Sequence, residues 1–400
     1  MLCLLCVNCN HTAKKVEQSI IREIDILGNL SNSCKIKLSV IASNIEYCVL
    51  EFDKKCLVTP QMSVYCSKDY IVTIGYQKTA HEVCYVFERK TGNFIRQISS
   101  FGRGPCEYTE AISTFWDENK GQVCFLGNNQ YIFFNLNGTL SHLTNRFNQY
   151  MDRFVAYQNY YIGYCPNRLG NNTIRIAFYD KTGNFIDSIP NYRSWKKTKP
   201  WYSGGEDSWL YIFHNNLFFK ELFCDTLYQI KNFNLSPSFV FNTNGLTVPY
   251  EIQEGGRYDV LASLSNGGIV VDRYEKYMKI LEVFEDCRNL YFTIDYRRQL
   301  YPAIYVKKED ILQIISPVSI PIRTGRDWKI PLHGFENDLD GGLPFWPQQM
   351  ISDKEMMCVY TAEELLDLDF TKISDEKLKN VLNSLNEESN PVVAIVTIKD

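Results

Sequence analysis

The hexapeptide Lys90-Thr91-Gly92-Asn93-Phe94-Ile95 recurs without a gap as Lys181-Thr182-Gly183-Asn184-Phe185-Ile186. Between the copies, Leu136-Asn137-Gly138-Thr139-Leu140 has the same turn, so the glycines fall at 92, 138 and 183, spaced by 46 and then 45 residues. A fixed period of this size marks a repeat architecture. Each copy follows an aromatic-rich run (CYVFER, YIFFNL, RIAFYD) and precedes a second one (FIRQI, TLSHL, FIDSI). That places the Gly in a hairpin turn, where positive φ costs it little. A further run precedes each: YIVTIGY, QVCFLG and YYIGYC. A repeat of this length holding four short strands is one blade of a β-propeller.

The rest of the chain continues the pattern less regularly. A fourth unit reads as LYIFH, LFFKELF and DTLYQI, with Asp225-Thr226 in the turn-like place. A fifth reads as YDVLASL, GIVVDRY and YMKILEVF, and a sixth lies between Asn289 and Tyr360 with longer loops. Thr361 to Asn386 has helical spacing, with Thr361 or Ser374 as cap and Leu365, Leu366, Leu368, Ile373, Leu378, Val381, Leu382 and Leu385 as its apolar stripe. Val392 to Ile398 is a final strand. A ring of blades closes without open edges when strands from both chain ends share a blade, and Ile45 to Phe52 offers the N-terminal partner. The expected fold is an all-β, six-bladed propeller closed by N- and C-terminal strands, with a short C-terminal helical segment.

Composition supports sheet over helix, with 26 Tyr, 24 Phe and 6 Trp. A formal net charge of −4 gives no electrostatic footprint for nucleic acid, and no run of 18 or more apolar residues offers a helical membrane span. Met1 to Cys9, MLCLLCVNC, breaks at Asn8 into the polar NHTAKK, the pattern of a secretory signal closing on a lipid-modified cysteine, here Cys9. Residues 1–30 are read as leader and linker, and 31–400 as the propeller including the helical insertion at about 361–386. Cys3, Cys6 and Cys9 have the spacing of a metal-binding run, but they sit among Leu and Val with no further ligands nearby, so no metal is expected there. Beyond them the cysteines are scattered singly through alternating apolar runs, which suits buried free thiols.

Several segments resemble the six-bladed β-propeller lipoproteins of gut-type anaerobic Gram-negative bacteria, a family related to NHL-repeat propellers and of unknown function. They are LSVIASNIEYCVLEF, FERKTGNFIRQISSFGRGPCEY, CDTLYQI, NDLDGGLPFWPQQMISDKEMMCVYTAEELLDL and NPVVAIVTIK, in the family's order and spanning roughly residues 30 to 400. GRGPCEY is similar to the family's GxGPGEY loop, with Cys106 in the place of a glycine, and Gly127 stands where NHL-like blades carry Asp. The resemblance implies an NHL-like propeller that is exported and membrane-anchored; it implies no established reaction.

With four antiparallel strands per blade, all connections between blades share one face. This gathers Phe101 to Thr109, Pro190 to Ser208 and Leu332 to Gln349 around one mouth, and loops on a rigid scaffold carry function. The second of these holds Trp195, Trp201, Tyr202 and Trp209 beside Lys196, Lys197, Lys199, Glu206 and Asp207. Exposed aromatics there would stack on a sugar face or a peptide side chain; alternatively, the tryptophans plug gaps between blades. Arg103 and Glu107 could bind an anion or act as a base, or Gly-Arg-Gly-Pro could simply form a tight turn. Asp338 and Asp340 belong to a D-x-D-G fragment that resembles part of a calcium loop whose remaining ligands are missing. The five histidines are never spaced as a zinc pair, and HExxH, GxSxG and GxxxxGK[ST] are absent. No cofactor or metal is expected.

The expected ligand-binding residues are therefore Trp195, Trp201, Tyr202, Arg103, Glu107, Asp338 and Asp340, with Cys9 lipidated and no catalytic residue assigned. The expected function is an envelope binding or scaffolding module for a glycan, a peptide or a partner protein, touching the membrane through its lipid anchor only. The alternative is a propeller-type lyase or hydrolase with its site in the channel mouth, where distant residues converge without a linear motif.

Overall fold

The computed structural model describes residues 21–399 except 60–61, 77–81, 105–106, 109, 118–119, 127–129, 152, 168–169, 193, 195–207, 250–251, 254–271, 322–330 and 374. Six antiparallel sheets form the blades. Blade 1 is Ser63–Cys66, Tyr70–Tyr76, Glu82–Glu88 and Phe94–Gln97; blade 2 is Glu110–Asp117, Gln122–Leu126, Gln130–Asn135 and Leu140–Asn145. Blade 3 is Arg153–Tyr157, Tyr160–Tyr164, Ile174–Asp180 and Phe185–Pro190; blade 4 is Ser208–Phe213, Asn216–Glu221, Thr226–Lys231 and Asn234–Asn242. Blade 5 is Lys279–Glu285, Asn289–Tyr296, Gln299–Val306 and Ile311–Ile314, and blade 6 is Gln349–Ser352, Glu355–Tyr360, Val392–Ile398 and Ala42–Val49. The first strand of each blade lies innermost, and the first strand of blade 6 packs on both that of blade 5 and that of blade 1. The ring is thus a closed six-bladed propeller.

The two-residue period of a strand explains how the blades hold together. In blade 2, Ile132 and Phe134 face back onto Val72, Val86 and Cys84 of blade 1. Their neighbours Tyr131 and Phe133 face forward onto Phe154, Tyr161 and Tyr179 of blade 3. A middle strand is therefore buried on both sides, which is why these runs are apolar without interruption, whereas the outermost strand Phe94–Gln97 is mostly exposed. The repeated turns fasten the outer rim. Glu51, just past the last strand of blade 6, donates its N–H to Gly92 O at 2.8 Å, and Asn145 of blade 2 donates to Thr182 O at 2.9 Å. A Cβ on Gly92 would lie 1.9 Å from Val49 O, so the glycine is required by close approach as well as by its φ of 76°.

Closure joins the two ends of the chain. Val392–Ile398 pairs on one side with Glu355–Tyr360 and on the other with Ala42–Val49. Asn390, fully buried, locks this seam: its Nδ2 donates to Glu51 O and Cys56 O at 2.6 and 2.9 Å, and its Oδ1 accepts from Val58 N at 2.8 Å. The propeller engages the chain earlier than residue 31, because Arg22–Asp25 adds a parallel strand to the outer edge of blade 4. The ten described cysteines form no disulfide among themselves, and Cys48, Cys56, Cys66, Cys84, Cys124, Cys165 and Cys358 are buried.

Two boundaries differ from the sequence reading. YMKILEVF opens blade 5 rather than ending it, and Asn289 to Ile314 completes blade 5 rather than beginning blade 6. The segment YDVLASL lies outside the described residues. The sequence after Ile314 misleads because the next blade strand begins only at Gln349, and Phe335, Phe345 and Trp346 between them pack into the core shared by blades 5 and 6. The helical segment inserts between the second and third strands of blade 6, but as two helices, Ala362–Leu366 and Glu376–Ser384. Thr361 and Glu364 form a capping box on the first. The break follows from Asp369 and Asp375, whose carboxylates accept from Thr371 N and Leu378 N and so cap new turns instead of continuing the old one. Ser374 lies outside the described residues.

Candidate functional site

The starts of first and third strands and the ends of second strands meet the face that carries the blade connections. At blades 3 to 5 this zone holds charged side chains in the interior. Arg175 begins the third strand of blade 3, Lys220 and Glu221 end the second strand of blade 4, and Lys279 and Asp295 face each other across blade 5. All five are at most 5% exposed. Arg175 pairs with Glu221 and is ringed by Tyr192, Phe219 and Tyr228 at 4.6, 5.3 and 5.5 Å from its guanidinium carbon. Burial pulls the guanidinium down, but the Glu221 carboxylate and Tyr192 outweigh it and hold the proton more firmly than usual. Lys279 lies 3.1 Å from Asp272 and 3.8 Å from Asp295, and donates to Tyr274 O at 3.0 Å. Lys220 donates to Glu221 O at 2.5 Å.

Such charges are stable inside only when paired, since an isolated one forfeits its hydration. These are engaged with one another and with backbone carbonyls, which makes the zone a rigid polar floor rather than a set of groups ready to exchange protons. The sequence signal was present: Lys220 and Glu221 interrupt the apolar run Leu217 to Phe223. Their partners come from other blades, so no linear motif records them.

Of the residues expected to bind ligand, Trp195, Trp201 and Tyr202 lie outside the described residues, as does Cys9. Trp209, from the same loop sequence, is buried against Leu222, Phe223, Val248 and Tyr274, the packing alternative for that member. Arg103 is exposed, while Glu107 turns back onto its own loop and accepts from Gly104 N at 2.7 Å, a tight turn between blades 1 and 2. Asp338 accepts from Ser39 N and Oγ at 2.9 and 2.6 Å; burial works against its carboxylate, yet these bonds hold it below the ordinary range. Asp340 accepts from Asn337 Nδ2 and Gly342 N at 2.7 and 2.8 Å, and burial pushes its carboxyl up. Asn337 also reaches Tyr47 in the outermost strand of blade 6. Asp338 thus fastens the N-terminal segment to this connection, while Asp340 braces its own turn. No described hydrogen bond or ion pair links them to Arg103 or Glu107.

A second concavity, a cleft of about 420 Å³ between blades 6 and 1, is lined by Glu46, Lys68, Arg89, Lys90 and Glu355. Arg89 spans it with two contacts to Glu355, 2.5 and 3.2 Å, and a third to Ser67 O at 3.1 Å. The bidentate pair is the geometry of an inter-blade clamp.

A family model described as a domain of unknown function, DUF4934, matches residues 21–397. The chain belongs to this family. Two solved structures share the DUF4934 chain's fold. A Bacteroides fragilis protein named as exported superposes with a TM-score of 0.67 at 20% identity, covering 95% of this chain and 100% of its own. A DUF4221 family member from Bacteroides vulgatus gives 0.52 at 10% identity, covering 90% of this chain and 97% of its own. No curated protein matches the DUF4934 chain.

Proposed function

We propose that the protein is an exported, lipid-anchored binding module of the cell envelope, presenting the connection face of blades 3 to 5 to a glycan, a peptide or a partner protein. The observation that carries this reading is the paired charge network under that face. Arg175 with Glu221, and Lys279 with Asp272 and Asp295, supply a stiff, costly platform at the ends of the strands of blades 3 to 5 on that face. A preorganised platform favours recognition. The charged groups are paired with one another, and His333, on a described connection, is tied to Pro331 O at 2.8 Å, so binding fits better than acid–base chemistry. Export is supported by the apolar start ending at Cys9 and by the name of the Bacteroides fragilis structure.

The test is a glycan and peptide array probed with the wild-type chain and with Trp201→Ala. Binding by the wild type, weakened in the variant at an unchanged melting temperature, supports the reading. A sharply lowered melting temperature for Trp201→Ala would assign that residue to inter-blade packing instead, and an array with no hit in either class removes the glycan and peptide versions. Fractionation of Cys9→Ser tests the anchor: the variant should leave the membrane fraction, and wild type found in the cytoplasm refutes it.

A further inference from the structure

The face opposite the connections carries the hairpins that join first to second strands, next to the axis. In blades 4, 5 and 6 the tips of these hairpins are His214, Cys287 and Asp353. Distant in sequence, they meet in space: His214 Nε2 lies 2.7 Å from Asp353 Oδ2 and 3.6 Å from Cys287 Sγ. The three donor atoms all lie within 4.8 Å of one another, and all three residues are exposed.

Each donor is set by its own turn. His214 and Asn215 have φ of 45° and 57°, a two-residue hairpin turn that few side chains enter readily, and the imidazole stacks on Phe213 at 4.1 Å. Cys287 follows Asp286, whose carboxylate accepts from Arg288 N and Asn289 N at 2.6 Å each and from the Tyr291 hydroxyl at 2.7 Å. Asp353 follows Ser352, whose Oγ accepts from Lys354 N at 3.2 Å. The nearby Lys307 ammonium is neutralised by Glu285 at 2.7 Å, so it adds little repulsion toward a cation. Blade 3 has Gln158 and Asn159 at the equivalent turn, which confines the chemistry to one arc of the ring.

We propose that His214, Cys287 and Asp353 form a binding site for a zinc-class divalent ion, with three protein donors and an open fourth position. A nitrogen, sulfur and carboxylate set suits this borderline-soft class and not calcium or magnesium, which take oxygen ligands. Donors held around one tetrahedral ion at zinc distances lie roughly 3.3–3.6 Å apart. The Cys287 to His214 separation already matches, and the His214 to Asp353 contact has to open by about 0.6 Å as the ion replaces the shared proton. On binding, the thiol proton leaves to solvent and the imidazole takes the tautomer with its proton on Nδ1. The site is independent of the connection face and of the binding function proposed for it.

Cobalt titration of the full chain, followed by zinc competition against a chromophoric chelator, tests the assignment. Wild type should bind one equivalent more than Cys287→Ser and show a thiolate-to-cobalt charge-transfer band that this variant lacks. Cys34→Ser, which removes another exposed thiol, should keep the band. His214→Ala and Asp353→Asn should each weaken zinc binding by on the order of a hundredfold, with metal-free melting unchanged because all three side chains are exposed. Should a variant fail to fold, zinc protection of Cys287 from alkylation in the unmodified chain, read by peptide mass spectrometry, gives the same answer. Equal stoichiometry in wild type and Cys287→Ser, or no protection of Cys287, overturns the proposal.

Discussion

Gly138 and Gly183 occupy the same turn in consecutive blades with φ of 83° and 87°, but their surroundings differ. A Cβ on Gly183 would sit 2.5 Å from Asn145 O, whereas on Gly138 it would meet nothing closer than Arg96 at 3.6 Å. Gly138→Ala should therefore cost only the left-handed penalty, about 1–2 kcal/mol, and Gly183→Ala distinctly more, because backbone has to move. Urea unfolding of both variants checks this, and equal losses would show that the turn does not dock on the preceding blade. A second residue-scale expectation concerns acid. Burial holds the His333 ring below its ordinary value of 6.5, with Pro331 O opposing. The unfolded chain then takes up a proton near 6.5 that the folded chain refuses, so stability falls as pH drops below that value. His333→Gln should flatten the decline between about pH 7 and 5.5, leaving the share of His142, which burial also lowers. An unchanged slope would mean that His333 is protonated equally in both states. The turn glycines were legible in the sequence because repetition exposes them. The pairing of Arg175 with Glu221 was not, because a pair made across two blades leaves no linear motif in either strand.

At the scale of elements, Val392–Ile398 carries more than its position at the end of the chain suggests. It is an interior strand, buried at six of its seven residues, with ladders on both sides. Deleting residues 391–400 leaves Ala42–Val49 without a partner sheet and Glu355–Tyr360 with an open edge. The truncated chain should aggregate or lose its cooperative transition, measured by size-exclusion chromatography and thermal melting; a soluble monomer with the wild-type melting curve would contradict the closure. This strand and the Thr361 cap were readable because their signals are local: an apolar, mostly β-branched run and a threonine just ahead of helical spacing. The division between blades 5 and 6 was not. Residues 315–348 separate their strands, and the period that located blades 1 to 3 has no purchase across an insertion of that length. The bonds of Asp338 to Ser39 and of Asp340 to Asn337 were not legible either, since acidic residues beside Gly-Gly do not announce their partners in sequence.

For the whole molecule, the N-terminal segment acts as a strap across half of the ring. Arg22–Asp25 pairs with Phe239–Asn242 on blade 4, Cys34 N donates to Ile314 O on blade 5 at 3.0 Å, Leu38 N donates to Glu336 O at 2.8 Å, and Ala42–Val49 completes blade 6. Three consecutive blades are thus joined by one continuous stretch in addition to their own packing. The repeat announces how many blades there are, but nothing in its period reveals this strap, whose contacts are made at single residues far apart in sequence. Removing the strap in two steps should separate its roles. A chain beginning at residue 31 keeps the blade 6 strand and should stay closed, with faster amide exchange confined to Phe239–Asn242 and the neighbouring edge of blade 5, the behaviour of a local opening. A chain beginning at residue 51 also loses Ala42–Val49, and with it the outer cover of the closing blade, so its unfolding should become broad and begin at blade 6. Hydrogen exchange with peptide-level readout distinguishes the two. If the shorter truncation already abolishes cooperative folding, the strap and not the shared blade is what closes the ring.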